Sequence, residues 1–191
     1  MPAPLRALAV LLCLITGGAL AAAEVAGVKF EDSAQVAGQT LALNGAGLRT
    51  RAIFKVYAMG LYLAKRESAA AAIVASPGAK RIHIVTLRDL GAEQFADGLV
   101  KGFTANHGAA EMVPLQARLD EFKATLLALG EAKKGTTITI DLVPGSGTRL
   151  SLGGQQKGKD IAGDDFYAAL LKIWLGPKPV DDALKAALIT Q

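Results

Sequence analysis

Residues 45–65, GAGLRTRAIFKVYAMGLYLAK, set chemically capable polar tips into a run of aromatic and branched residues. Arg49, Arg51, Lys55, Tyr57 and Tyr62 all fall within it. Such a composition reads as extended chain, in which alternate side chains point to opposite faces, so some of these tips face an interior. A guanidinium or a phenol in an apolar interior is costly unless something pairs with it. Arg49 and Tyr57 have equal parity and share a face if the chain stays regular between them. Arginine offers a two-armed fork and tyrosine a hydroxyl donor, and together they suit a carboxylate or an oxyanion. The competing role is structural, with Arg49 paired to an acidic neighbour or reaching solvent along its apolar stem.

Other chemistry has little support in the residues. His83 and His107 are the only histidines, one in a strand pattern and one after a helix. With no cysteine beside them, no metal site is expected. No G-x-S-x-G elbow is present, and Ser146 in PGSG reads as a turn residue. Gly45-Ala46-Gly47 is followed by a strand pattern and not a helix, so it is no dinucleotide fingerprint. Gly145-Ser146-Gly147 and Gly153-Gly154 read as hairpin turns, no phosphate loop is visible, and no cofactor is expected. The basic residues are scattered without interleaved aromatics, which argues against a nucleic-acid partner.

The elements that position Arg49 and Tyr57 follow from periodicity. Residues 28–30 and 40–44 are expected to pair as a short hairpin around EDSAQVAGQ, and residues 47–63 to form one long or bent strand pair. Within the second, Tyr57, Met59, Leu61 and Leu63 share one face, and Val56, Ala58, Gly60 and Tyr62 the other. Both faces are largely apolar, which predicts a strand covered on both sides. Residues 81–88 (RIHIVTLR) alternate with period two, and 136–142 and 148–152 form two more strands joined by VPGSG. Helices are expected over 69–75, 92–106, 115–129, 164–175 and 181–189. The second carries an apolar stripe of Phe95, Leu99 and Phe103 at i, i+4, i+8. Early strands, central helices, a returning hairpin and closing helices make an α+β chain with a mainly antiparallel sheet.

The first residues, MPAPLRALAVLLCLITGGALAAAEVAG, carry a basic Arg6, an apolar run over 7–16 and small residues over 19–23. That order is a secretory signal peptide with A-x-A cleavage matches, and the run is shorter than the roughly 20 residues that span a membrane. A leader over residues 1–23, one domain over 24–191, and a periplasmic or secreted location are expected, with no membrane span left after cleavage. Cys13, the only cysteine, lies in the apolar run behind Leu12, so the remaining chain has no thiol chemistry. The whole chain carries +4, and loss of the leader removes Arg6 and no acid, leaving +3.

GAGLR followed by FKVYAMGLYL resembles the arginine strand and following strand of the chalcone isomerase-like superfamily. FYAALLKIWLGPKPVDDALKAALI is similar to that family's C-terminal helical segment. The secreted form looks like its bacterial branch. The resemblance implies an open-faced β-sandwich: a large antiparallel sheet, helices layered on one face, and a ligand cleft between them. It places the family arginine at Arg49, which holds an oxyanion in the isomerases and a carboxylate in the fatty-acid binders. Tyr57 stands where the isomerases have threonine and resembles the fatty-acid binders. The isomerases' catalytic tyrosine falls on Phe95, and their asparagine seven residues on falls on Gly102. Phe95 can donate no proton. The resemblance implies non-catalytic binding of a small apolar anion, such as a fatty acid or acyl compound, by Arg49 and Tyr57. The alternatives are an intramolecular lyase or isomerase, and a structural or partner-binding envelope protein. Oligomeric state is left open by the sequence.

Overall fold

A computed structural model of the chain describes residues 23–189; the expected leader, apart from its last residue Ala23, falls outside them. Two short strands come first, β1 (Ala23–Val25) and β2 (Val28–Phe30), paired with each other. Then follow β3 (Ser33–Val36), β4 (Gln39–Arg51) and β5 (Phe54–Leu63), α1 (Ala70–Ala75), and β6 (Lys80–Thr86). A two-residue strand β7 (Leu90–Gly91) leads into α2 (Ala92–Ala105), α3 (Ala109–Met112) and α4 (Gln116–Leu127), and pairs with β8 (Glu131–Ala132). The chain returns through β9 (Thr137–Val143), β10 (Gly147–Leu152) and β11 (Gln155–Ile161), then closes with α5 (Asp164–Leu175) and α6 (Asp182–Ile189). The main sheet has seven antiparallel strands in the order β11-β10-β9-β6-β5-β4-β3, which makes the fold α+β as expected.

Period-two alternation assigns the two faces of this sheet. Tyr57, Met59, Leu61 and Leu63 of β5 join Ile82 and Ile84 of β6 and Ile138 and Ile140 of β9 under α2, α4 and α5. This is the main core, and the apolar stripe Phe95, Leu99 and Phe103 of α2 packs into it. The opposite face of β5 presents Ala58 and Tyr62 to a smaller cluster with Phe30, Val36, Leu41 and Leu43. β5 is therefore covered on both sides, which its apolar run requires.

The pairing of the first strands differs from expectation. Residues 28–30 pair back to β1, and the polar EDSAQVAGQ stretch contains a strand of its own, β3, which forms the hairpin with β4. Two Ala-Gly turns explain the difference. Ala26 and Gly27, then Ala37 and Gly38, all have positive φ, the geometry of tight two-residue hairpin loops, so the chain reverses twice within this stretch. β11 is an addition, because its QQKGKDI sequence is too polar to alternate, as suits an exposed edge strand.

Two bulges aim the β4–β5 hairpin. Its loop is Ala52-Ile53, with Arg51 opposite Phe54 and Thr50 opposite Lys55. Regular pairing would next set Arg49 against Val56. Val56 is instead an extra residue, so Arg49 lies opposite Tyr57. Further along, Asn44 is skipped: Leu43 pairs with Tyr62, then Gly45 with Leu61. This reverses the facing of β4, so that Leu41 and Leu43 face the small cluster while Gly45, Gly47 and Arg49 face the helices. Asn44 holds its bulge with three hydrogen bonds: its Nδ2 donates to Leu188 O (2.7 Å) and Glu67 O (3.0 Å), and its Oδ1 accepts from Glu67 N–H (2.7 Å). Gly45 and Gly47 then let α6 lie directly on β4; a Cβ on Gly45 would sit 2.3 Å from the carbonyl oxygen of Ala187. That close approach brings the start of α6 beside Arg49.

Candidate ligand-binding site

A cavity of about 370 Å³ opens between the end of the β4–β5 hairpin and the first turns of α2. Arg49, Arg51, Phe54, Val56 and Tyr57 line it from the hairpin, Leu90, Gln94, Phe95, Gly98 and Leu99 from β7 and α2, and Ile173 and Val180 from the C-terminal segment. Its wall is largely apolar, and its charged lining residues, Arg49, Arg51 and Arg88, are all cations. A concave apolar site with a few convergent polar groups is the usual form of a small-molecule pocket, and the volume lies at the small end of the usual range.

Both residues singled out in the sequence reach this cavity, and the Val56 bulge makes them cross-strand neighbours. Tyr57 is buried, and its hydroxyl oxygen accepts a hydrogen bond from Trp174 Nε1 at 2.9 Å. A phenol accepts and also donates, and the hydrogen of Tyr57 has no acceptor among the described residues. Burial pushes the Tyr57 hydroxyl up to about 12, against smaller downward pulls from the Trp174 bond and the Arg49 charge. It is therefore a neutral donor across the physiological range. Trp174 fixes where that donor sits, since its indole and the Tyr57 ring are both packed in the main core.

Arg49 is partly engaged. Its Nη1 donates to the carbonyl of Thr50 and, at 3.4 Å, to Asp181 Oδ2. The contact with Asp181 is long and single-armed, far from a two-armed fork; the remaining guanidinium nitrogens make no hydrogen bond among the described residues. Asp181 has other duties: it accepts from Thr50 N–H at 3.1 Å and, as the residue before α6, from Leu184 N–H at 3.0 Å. Burial raises its carboxyl, but these two N–H groups and the Arg49 charge outweigh that and hold it below the ordinary carboxylate value. Asp181 thus stays ionised and holds Arg49 at the cavity wall while leaving donors free. Arg49 thus has the acidic neighbour of the structural role, and its other guanidinium nitrogens stay without a hydrogen bond among the described residues.

Phe95 is buried in the cavity wall and supplies apolar surface where the resemblance sets a catalytic tyrosine. Gly102 is not among the cavity residues. A Cβ there would come within 2.9 Å of both Ile173 and Val180, so close packing against these two side chains calls for a glycine. Trp174, Asp181, Arg88 and Phe54 complete the site and carry no local signal in the sequence. Only spatial proximity identifies them, although the Arg88 guanidinium stacked 5.0 Å from the Phe54 ring centre marks them as one edge of the mouth. Among the described residues no cluster of metal-ligating side chains occurs, and no helix is long and apolar enough to cross a membrane.

Comparison with known proteins follows the same architecture. The fold is similar to the crystal structure of a fatty-acid binding protein from Arabidopsis thaliana, with a TM-score of 0.66 and 15% sequence identity over 85% of this chain and 92% of that one. No curated protein sequence matches the chain. The family model for chalcone isomerase-like proteins matches residues 22–190, which include all of the described residues. The chain belongs to the chalcone isomerase-like family.

Proposed function

We propose that this protein binds a small apolar anion, a fatty acid or related acyl compound, in the cavity beneath the β4–β5 hairpin, without chemical conversion. One observation carries the reading. The cavity joins an apolar wall to two convergent donors, the free arms of the Arg49 guanidinium and the unaccepted hydroxyl hydrogen of Tyr57. A carboxylate takes up both, and the chain of the acyl group lies against Phe95, Leu99, Ile173 and Val180. The fatty-acid binding function of the Arabidopsis structure agrees with this ligand class. Phe95, which carries no proton to transfer, favours binding over isomerisation.

The site works after export, in the periplasm or outside the cell, once the leader over residues 1–23 is removed. Intact mass of protein recovered from the periplasm is expected to show cleavage near Ala21 or Ala23. The ligand class is tested by mass spectrometry of small molecules released from natively purified protein. An acyl anion present in wild type and depleted in Arg49→Ala is the expected result, and a neutral or cationic ligand unaffected by that substitution would overturn the reading.

A further inference from the structure

The tip of the β4–β5 hairpin exposes more apolar surface than a turn needs. Ile53 is 87% exposed and Phe54 is 54% exposed. The other two-residue hairpin loops spend the same two positions on Ala26-Gly27, Ala37-Gly38 and Gly153-Gly154, with positive φ at both residues of each. Here Ala52 keeps the positive φ, and a large branched residue replaces the glycine. Isoleucine is not called for by the turn, since Ile53 does not take the positive φ of the glycines in the other loops, and its side chain packs on neither core. Its neighbours are basic: Arg51, Lys55 and Arg88 are exposed and form no ion pair among the described residues. Asp89, next to Arg88, is committed to Lys133 and the backbone of Lys134, and Asp181 to Arg49 and Thr50.

We propose that this tip docks the protein on an anionic phospholipid bilayer, with Ile53 and Phe54 entering the headgroup–acyl boundary and Arg51, Lys55 and Arg88 meeting lipid phosphates. An apolar point ringed by cations has the composition of an interfacial anchor. Its position gives the docking a purpose. Arg51, Ala52, Phe54 and Arg88 also line the cavity, so a docked tip opens the pocket toward the membrane, and an acyl chain passes between them without crossing water. That purpose rests on the acyl-binding reading above; the docking itself does not.

The test uses residues 22–191, which hold every described element and lack the apolar N-terminal run that would itself bind lipid. The unliganded protein is sedimented with vesicles of phosphatidylcholine alone or mixed with phosphatidylglycerol. Binding is expected only to the anionic vesicles, and to fall as salt screens the cations. Ile53→Ser should lower the partition coefficient about tenfold, from the loss of one buried apolar side chain. The same variant should bind a fluorescent fatty acid in solution unchanged, because Ile53 does not line the cavity. Ile53→Trp should show quenching by brominated lipids. Absence of binding to anionic vesicles, or binding unaltered by Ile53→Ser and without quenching in Ile53→Trp, overturns the proposal. So does a dimer in sedimentation velocity that Ile53→Ser dissociates, which would mean that a second copy covers the tip. Failure of fatty-acid binding with vesicle docking intact would sink the ligand reading and leave the anchor standing.

Discussion

Tyr57 accepts a hydrogen bond from Trp174 and, in the proposed site, donates another, which makes its replacement informative. Tyr57→Phe removes the donor offered to a ligand and also the acceptor of the buried Trp174 N–H. Affinity for a fatty acid should fall by roughly 0.5–1.5 kcal/mol, the worth of a neutral hydrogen bond. Unfolding in urea should in addition show a loss of about 1–3 kcal/mol, because an indole N–H is left buried and unpaired. Lost affinity at full stability would mean that Trp174 finds another acceptor. Asp181→Asn acts in the opposite direction. It removes the charge that competes for Arg49 and keeps an oxygen to cap Leu184 N–H, while the bond from Thr50 N–H is lost. Calorimetric titration should show binding tightened roughly two- to fivefold, the scale of a partly exposed ion pair. Weaker binding would show that Asp181 positions Arg49 more than it competes. Arg49 and Tyr57 are legible in the sequence because a charged and a phenolic tip stand out against apolar strand residues. Their partners are not: Trp174 and Asp181 lie 117 and 132 residues further along the chain, and nothing in their own segments marks them.

The two bulges of the β4–β5 hairpin decide whether a site exists. The equal parity of positions 49 and 57 gives a shared face for a reason that pattern alone does not contain. A two-residue loop in regular register pairs residues of unequal parity, and only the extra Val56 brings Arg49 opposite Tyr57. Strands with strong alternation, such as β5, β6 and β9, declare themselves, as do helices with an apolar stripe. β11 does not, because its polar residues carry no clear alternation, and β3 does not, because its buried face is only Ala34 and Val36. The Asn44 bulge yields an element-scale test. Asn44→Ala deletes three hydrogen bonds that tie β4 to the segment after β5 and to α6. The expected cost is about 2–3 kcal/mol in urea unfolding, each bond contributing roughly 0.5–1.5 kcal/mol. Hydrogen exchange should rise selectively in α6 and β4. Uniform loss across the sheet, or none, would mean that the bulge is held by packing instead.

The whole molecule stores its three tyrosines inside, Tyr57 and Tyr62 on opposite faces of β5 and Tyr167 in α5. Burial is the leading cause that raises each hydroxyl, to about 12 for Tyr57 and Tyr62 and well above its ordinary value for Tyr167. A folded pKa above the unfolded value near 10 leaves stability complete below pH 10 and removes it as pH rises toward 12. Absorbance at 295 nm should therefore show almost no tyrosinate at pH 10, then a cooperative rise that coincides with loss of circular dichroism. Early titration of one tyrosine in the folded state would contradict this burial. The central claim, that the cavity grips an anion through Arg49, is tested most directly by pairing two measurements on Arg49→Ala. Titration with a fluorescent fatty acid should give an affinity lower by on the order of 1.5–3 kcal/mol, or roughly 10- to 150-fold. Melts of the ligand-free protein should move little, because the guanidinium meets Asp181 through one arm at 3.4 Å. Unchanged affinity together with a large fall in melting temperature would contradict the claim and make Arg49 a structural ion-pair partner only.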